Sequence, residues 1–188
     1  MGPLRSLEVP TPLGTLAVVV GPDGVVATAF DDEDLEPELE HLERRLGAAI
    51  RPGGRALAPV RREVEAYFAG RGRRFDTSVD LMLAGDGFPR RVLEATMRIP
   101  YGELATYGDV AAAAGVPRGG RAAGNALGRC PIELFVPCHR VVHAGGTIGG
   151  YGRHEDRKRW LLRHEGAVCA DVRHRTREDG CRWPPVGP

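Results

Sequence analysis

The chain has 188 residues, 42% hydrophobic and 27% charged, enough for a sizeable core and a second small lobe. No apolar run approaches the roughly 18 residues of a membrane span, and the opening MGPLRSLEVP lacks the apolar stretch of a secretory signal, so a cytoplasmic protein without a membrane partner is expected. A formal charge of +1 hides an asymmetry: residues 1–85 carry 10 Arg against 14 acids, net −4, and residues 86–188 carry 16 cations against 11 acids, net +5, with five of the six histidines.

A polyanion would meet the second half, although charge of this kind also serves as a solvated surface. Arginine supplies all but one of the 26 cationic side chains, Lys158 being the exception, and no function is read from that bias. The four cysteines, Cys130, Cys138, Cys169 and Cys181, crowd into the last third, which is no pattern for a secreted disulfide framework.

LGTLAVVV and GVVATAF flank the turn GPDG, which predicts a hairpin. After the acidic run Asp31 to Glu36, PELEHLERRLGAAI places Leu39, Leu42 and Leu46 at helical spacing, and a loop containing RPGG follows. APVRREVEAYFAG puts Val60, Val64, Tyr67 and Phe68 on one helix face, with Gly70 as the stop. RFDTSVDLML reads as a further strand. No catalytic constellation is visible in this α/β lobe, residues 1–85, which is expected to be a scaffold.

From residue 86 the character changes. Asp86 or Gly87 can cap a helix in which Val92, Leu93 and Met97 face inward, ended by Pro100 and Gly102. Thr106 and Asp109 make a capping-box-like start for YGDVAAAAG, a short helix closed by Gly115. A turn at Pro117 leads to a second short helix in GGRAAGNALG. Two short helices joined by a Gly-containing turn are a helix-turn-helix candidate. The second is almost without bulk apart from Arg121: Ala122, Ala123, Gly124, Asn125 and Ala126 let its backbone come near another surface, either a neighbouring helix or a groove of DNA.

The segment LFVPCHRVVH sets a thiol beside an imidazole among apolar residues. Zinc would want four ligands, but the thiols lack CxxC spacing and the first 129 residues contain no cysteine. A buried inert cysteine and a thiol nucleophile activated by His139 both remain open on these residues alone.

Five ordered segments, IPYGELATYGDVAAAAG, RAAGNALGRCP, VPCHRVV, GGYG and RKRWLLRHEG, resemble in order and spacing the O6-alkylguanine-DNA alkyltransferases over about residues 86–166. The resemblance implies a ribonuclease-H-like α/β first lobe. A mostly helical, winged-helix-like lobe with the helix-turn-helix, residues 86–168, would follow, then a tail at 169–188. It implies that Cys138 takes an alkyl group irreversibly from O6 of guanine, that His139 draws its proton through a bound water, and that Glu165 acts through His139. Tyr107 would crowd the phosphate and protonate the leaving guanine. Arg121 would fill the gap left by the flipped base, with Ala122, Ala123, Arg118 and Arg129 on the DNA. Val136, Val141, Tyr151, Gly152 and Arg153 would form the base pocket. Double-stranded DNA would be held in the minor groove without sequence preference, by a monomer that needs no metal or other cofactor.

The chemistry agrees with those roles. O6 lies inside a stacked duplex, so a buried thiol reaches it only if the nucleotide rotates out. A thiol of pKa ~8.5 is about 3% thiolate at pH 7; lowering that pKa by about 2 units gains roughly 25-fold in thiolate, most of it returned as lost nucleophilicity. Alignment of sulfur and protonation of the departing base must therefore supply more of the rate. Two positions depart from the family pattern: Arg153 where glycine is common on the pocket rim, and Cys130 where an asparagine usually braces the turn before the active-site segment. A thiol braces more weakly than an amide. His143, His154 and His164 receive no role, and the tail offers only Cys169, His174 and Cys181 as a remote metal-site candidate. The alternative of another class is an alkyltransferase-like binder of damaged DNA, which lacks the reactive thiol.

Overall fold

The computed structural model describes residues 2–31, 35–144, 147–152 and 154–167. Arg153 and the tail 169–188, with its metal-site candidate, lie outside the described residues. The chain divides into two compact units, one running up to Leu83 and including Pro131–Phe135, the other comprising Ala84–Cys130 and the described residues from Val136 onward.

In the first unit, β1 (Leu4–Thr11), β2 (Gly14–Gly21) and β3 (Gly24–Asp31) form an antiparallel meander. A short β4 (Ile50–Pro52) adds parallel to β1, giving the order β3-β2-β1-β4. The predicted hairpin is β2–β3. Gly24 is required at its turn, since at φ 138° a Cβ there would lie 2.2 Å from the Ser78 carbonyl oxygen. Helix α1 (Leu35–Leu46) lays Leu42 and Leu46 on a cluster with Leu4, Val19, Val26 and Ala27. It stops at Gly47, φ 62°, short of the predicted Ile50, whose amide is taken by the Glu43 carboxylate at 2.7 Å. Helix α2 (Ala58–Phe68) buries Val60, Val64 and Tyr67.

The strand expected in RFDTSVDLML does not form. Glu63 accepts from the amides of Asp76 and Thr77, each at 3.1 Å, and from the Thr77 hydroxyl at 2.9 Å. Asp80 accepts from the Met82 amide at the start of a 3₁₀ turn, Leu81–Ala84. Backbone donors that a ladder needs are thus held by side chains, leaving one bridge, Val25 to Val79.

In the second unit, α3 (Phe88–Thr96) begins at Gly87, φ 85°, without a side-chain cap from Asp86. Its inward face is Val92, Leu93, Ala95 and Thr96; Met97, expected inside, is the C-cap and 40% exposed, because Thr96 occupies the buried position with its hydroxyl on the Val92 carbonyl at 2.8 Å. A two-residue strand β5 (Ala105–Thr106) leads into α4 (Tyr107–Ala113), and α5 (Gly120–Leu127) follows. Residues Val141–Val142, β6, pair parallel with β5, Ala105 to Val141 and Thr106 to Val142. Helix α6 (Glu155–His164) closes the described chain and buries Arg157, Lys158, Leu161 and Leu162. Among the described residues no helix is long and apolar enough to cross a membrane.

Candidate active site

Cys138 opens a 3₁₀ turn, Cys138–Arg140, and all three side chains are buried. The segment before it is fixed within the first unit: β3 Thr28 donates its amide to the Pro131 carbonyl at 2.8 Å and its hydroxyl to the Glu133 carbonyl at 3.1 Å, and buried Leu134 holds φ 73°. A leucine in that left-handed region is strained and persists only where its surroundings impose it. The Cys138 amide then bonds the Val136 carbonyl at 2.8 Å.

His139 is fully buried, with Nε2 2.9 Å from Glu165 Oε1. Glu165 sits at the C-cap of α6, so it is both a helix-end residue and a member of the site. Its carboxylate also accepts a forked pair from Arg140, Nε to Oε2 and Nη2 to Oε1, each 2.8 Å, and the Gly102 amide at 3.2 Å. Arg140 is anchored further by Nη1 on the Ile99 carbonyl at 2.6 Å and lies over the Tyr101 ring at 5.8 Å.

Burial pushes the Glu165 carboxyl upward, but the hydrogen bonds from His139 and Arg140 and the charge of Arg140 outweigh it and hold the group well below the usual carboxylate range. Burial dominates at His139, lowering its pKa despite Glu165, while Arg140 and Lys158 push the same way. The imidazole is therefore neutral at physiological pH. With Glu165 accepting from Nε2–H, Nδ1 is left as the basic nitrogen, and it is buried without a hydrogen-bond partner among the described residues. This arrangement orients an imidazole to take a proton from a neighbouring thiol.

Tyr107 is the first residue of α4, immediately after a complete capping box in which Thr106 Oγ1 accepts from the Asp109 amide and Asp109 accepts from the Thr106 amide. The β5–β6 pairing carries Thr106 beside Val142, which fixes the start of α4 next to the segment that leaves Cys138. Burial, then the charge of Cys138, raise the Tyr107 pKa, so its hydroxyl keeps its proton. Its ring packs on His143 with centres 5.0 Å apart. Gly149, φ 70°, permits that approach: a Cβ there would be 2.7 Å from the tyrosine oxygen.

Of the expected pocket residues, Val136, Val141 and Tyr151 are buried and Gly152 is exposed. Arg118, Arg121, Ala122 and Arg129 are exposed around α5, whereas Ala123, expected beside them on DNA, is fully buried and serves packing. Ordinary helix packing thus explains part of the small-residue face: Gly120 and Gly124 lie against Gly108 and Tyr107 of α4. Cys130 is half-buried, its amide on the Leu127 carbonyl at 3.1 Å, at the point where the chain passes to Pro131. Among the described residues no cluster of His, Cys, Asp and Glu is suited to a metal ion.

Arg140 and Lys158 were not identified as site residues from sequence. For Lys158 a signal existed: it shares a helix face with Leu161, Leu162 and Glu165, an unlikely place for an unpaired cation.

A buried thiol beside an imidazole that a carboxylate orients defines a protein built for cysteine chemistry. Residues 87–167 match the family described as 6-O-methylguanine DNA methyltransferase, DNA binding domain. The methylated-DNA–protein-cysteine methyltransferase of Mycolicibacterium paratuberculosis is 42% identical over 159 residues, 84% of this chain and 88% of the relative. The crystal structure of Mycobacterium tuberculosis O6-methylguanine methyltransferase superposes with a TM-score of 0.73 at 34% identity, covering 90% of this chain and 97% of the other. That of Mycobacterium tuberculosis OGT in complex with DNA gives 0.70 at 34% identity, covering 87% and 92%. The chain belongs to the methylated-DNA–protein-cysteine methyltransferase family.

Proposed function

We propose that the protein repairs O6-alkylguanine in double-stranded DNA by transferring the alkyl group, once and irreversibly, to Cys138. The observation that carries this reading is the buried Cys138–Arg140 turn in which Glu165 orients His139 and leaves Nδ1 free to act as base. The Cys138 proton passes to His139, directly or through water. The sulfur attacks the alkyl carbon, the S–C bond forms as the C–O6 bond breaks, and the electron pair stays on guanine. Tyr107 supplies the proton that neutralises the base, and the proton that His139 took from Cys138 passes on to Tyr107, so both side chains end neutral. Its raised pKa makes it a hydrogen-bond donor rather than a charged rival of the phosphate. No cofactor enters these steps.

Exposed Arg121, with Ala122 beside it on a helix of little bulk, is suited to enter the minor groove and occupy the gap of the flipped nucleotide. Arg118 and Arg129 would contact phosphates, giving affinity without sequence preference. Helices α4 and α5 then act as the helix-turn-helix of a winged-helix-like lobe, and the β1–β2–β3 meander with parallel β4 supports a ribonuclease-H-like reading of the first lobe. Val136, Val141, Tyr151 and Gly152 line the pocket, and Cys130 is a hinge with a weaker brace than asparagine. The protein acts as a cytoplasmic monomer organised as 1–85, 86–168 and a tail.

The alkyltransferase-like binder is disfavoured by Cys138 itself. Cys138→Ala is expected to abolish transfer from O6-methylguanine duplex while leaving lesion binding within a few-fold of wild type; loss of binding in step with transfer would refute this division of roles.

A further inference from the structure

Tyr107 and His143 stand at matching places just past the two strands of the small sheet. Thr106, the last residue of β5, pairs in parallel with Val142, the last of β6, and the next residue on each chain segment is Tyr107 and His143. Paired positions of a parallel ladder send their side chains to the same face, and that register carried one residue further brings the two rings together, centres 5.0 Å apart and planes at 51°. The His143 amide donates to the Thr147 carbonyl at 2.9 Å, which fixes the backbone behind the imidazole.

The two side chains also share an opening. A Cβ at Gly149 would lie 2.7 Å from the tyrosine oxygen and 3.2 Å from His143 Nε2. Hydroxyl and ring nitrogen thus flank a single point that glycine leaves unfilled, near enough for the oxygens of one phosphate group to accept from both. Tyr107 is half-buried there and His143 is exposed. Lys158, also beside the Tyr107 ring at 5.9 Å from its centre, is fully buried with its ammonium on the Val141 carbonyl at 2.6 Å. That cation is committed to the interior, whereas the imidazole meets solvent. A residue that only packed on Tyr107 would need no nitrogen at this opening.

We propose that His143 is a DNA-contact residue: its ring donates, beside the Tyr107 hydroxyl, to the phosphate next to the rotated nucleotide. The inference rests on the reading that sets Tyr107 against that phosphate. A neutral imidazole carries one N–H and suffices as the donor. Two donors from separate segments, the start of α4 and the chain leaving β6, then hold the backbone at the lesion while the base enters the pocket. Such a contact positions the strand and carries no sequence information.

Single-turnover transfer from O6-methylguanine duplex, with protein below saturation, tests the contact. His143→Phe keeps a ring against Tyr107 and removes the donor, so it should be roughly 10-fold slower than wild type, and His143→Gln, which retains an N–H, should return to within about threefold. A duplex with an uncharged methylphosphonate on one side of the lesion, and a second with it on the other, separates contact from packing: with one of the two, the gap between wild type and His143→Phe should shrink to about twofold or less. His143→Phe as fast as wild type overturns the contact, as does a gap that survives both methylphosphonates, and His143→Gln as slow as His143→Phe counts against a donor. If wild type itself gains no methyl, the repair reading fails, and the affinities of wild type and His143→Phe for the same three duplexes, measured by fluorescence anisotropy, still decide on the contact.

Discussion

At the scale of single residues, the site is governed by how Glu165 is shared. Arg140 takes both carboxylate oxygens and neutralises the charge, while His139 contributes a hydrogen bond and no proton. The folded pKa of His139 lies below the ordinary 6.5. As pH falls through that ordinary value the unfolded chain binds a proton that the folded chain refuses, so stability declines with acid. Wild type should lose up to about 1.4 kcal/mol per pH unit from this group below pH ~6.5, and His139→Gln should flatten that slope in urea unfolding. Glu165 is displaced in the same direction, downward from its ordinary value. Its stabilisation is complete above the unfolded carboxylate value and is lost progressively as pH falls from there toward its depressed folded value, so this loss begins at lower pH than that of His139. Gly149 sets a second constraint. Gly149→Ala places a methyl 2.7 Å from the Tyr107 oxygen in a left-handed backbone, so single-turnover transfer should slow roughly 10- to 100-fold with the fold retained. Cys138, His139, Glu165 and Tyr107 were legible from ordered motifs. Arg140 was not, because its partners Ile99 and Glu165 lie 41 and 25 residues away and no local spacing announces such a fork.

At the scale of elements, α4 shows how a cap positions chemistry. Thr106 both pairs with Val142 in β6 and caps α4, so Tyr107 inherits its place from two independent restraints. Thr106→Ala should cost about 1 kcal/mol in chemical denaturation and slow transfer beyond what that loss explains, since Tyr107 is the next residue. The capping box, the β2–β3 hairpin and the apolar faces of α1 and α2 were readable because each is a short-range pattern. Strand β1 buries Leu4, Leu7 and Val9 and exposes Arg5 and Glu8 without strict alternation, Pro10 lies within the run, and β4 is only three residues long, so neither announces itself. The false strand at RFDTSVDLML shows the reverse failure. Its alternation is adequate, yet Glu63, held 13 residues away on α2, captures the amides a ladder would need. Part of the bare face of α5 likewise belongs to packing, because Ala123 is buried and Gly124 faces Tyr107, while Arg121 and Ala122 stay outside.

At the scale of the whole molecule, the charge division near Gly85 and the structural division do not quite coincide. Residues Pro131–Phe135 group with the first unit through Thr28, although the chain on both sides belongs to the second. Nothing in the sequence marks that excursion, since PIELF reads as an ordinary apolar link. Its consequence is that the segment entering the Cys138 turn is fixed at strained Leu134 before the thiol is reached. The basic second half supplies the surface a polyanion requires, and the buried turn supplies the acceptor. The central claim is the covalent one, and intact-mass measurement after incubation with O6-methylguanine duplex tests it most directly. The protein should gain the mass of one methyl group, located by peptide mapping on Cys138 and absent from Cys138→Ala. A protein that binds the damaged duplex but shows no added mass, or carries the methyl on Cys130, would contradict the account.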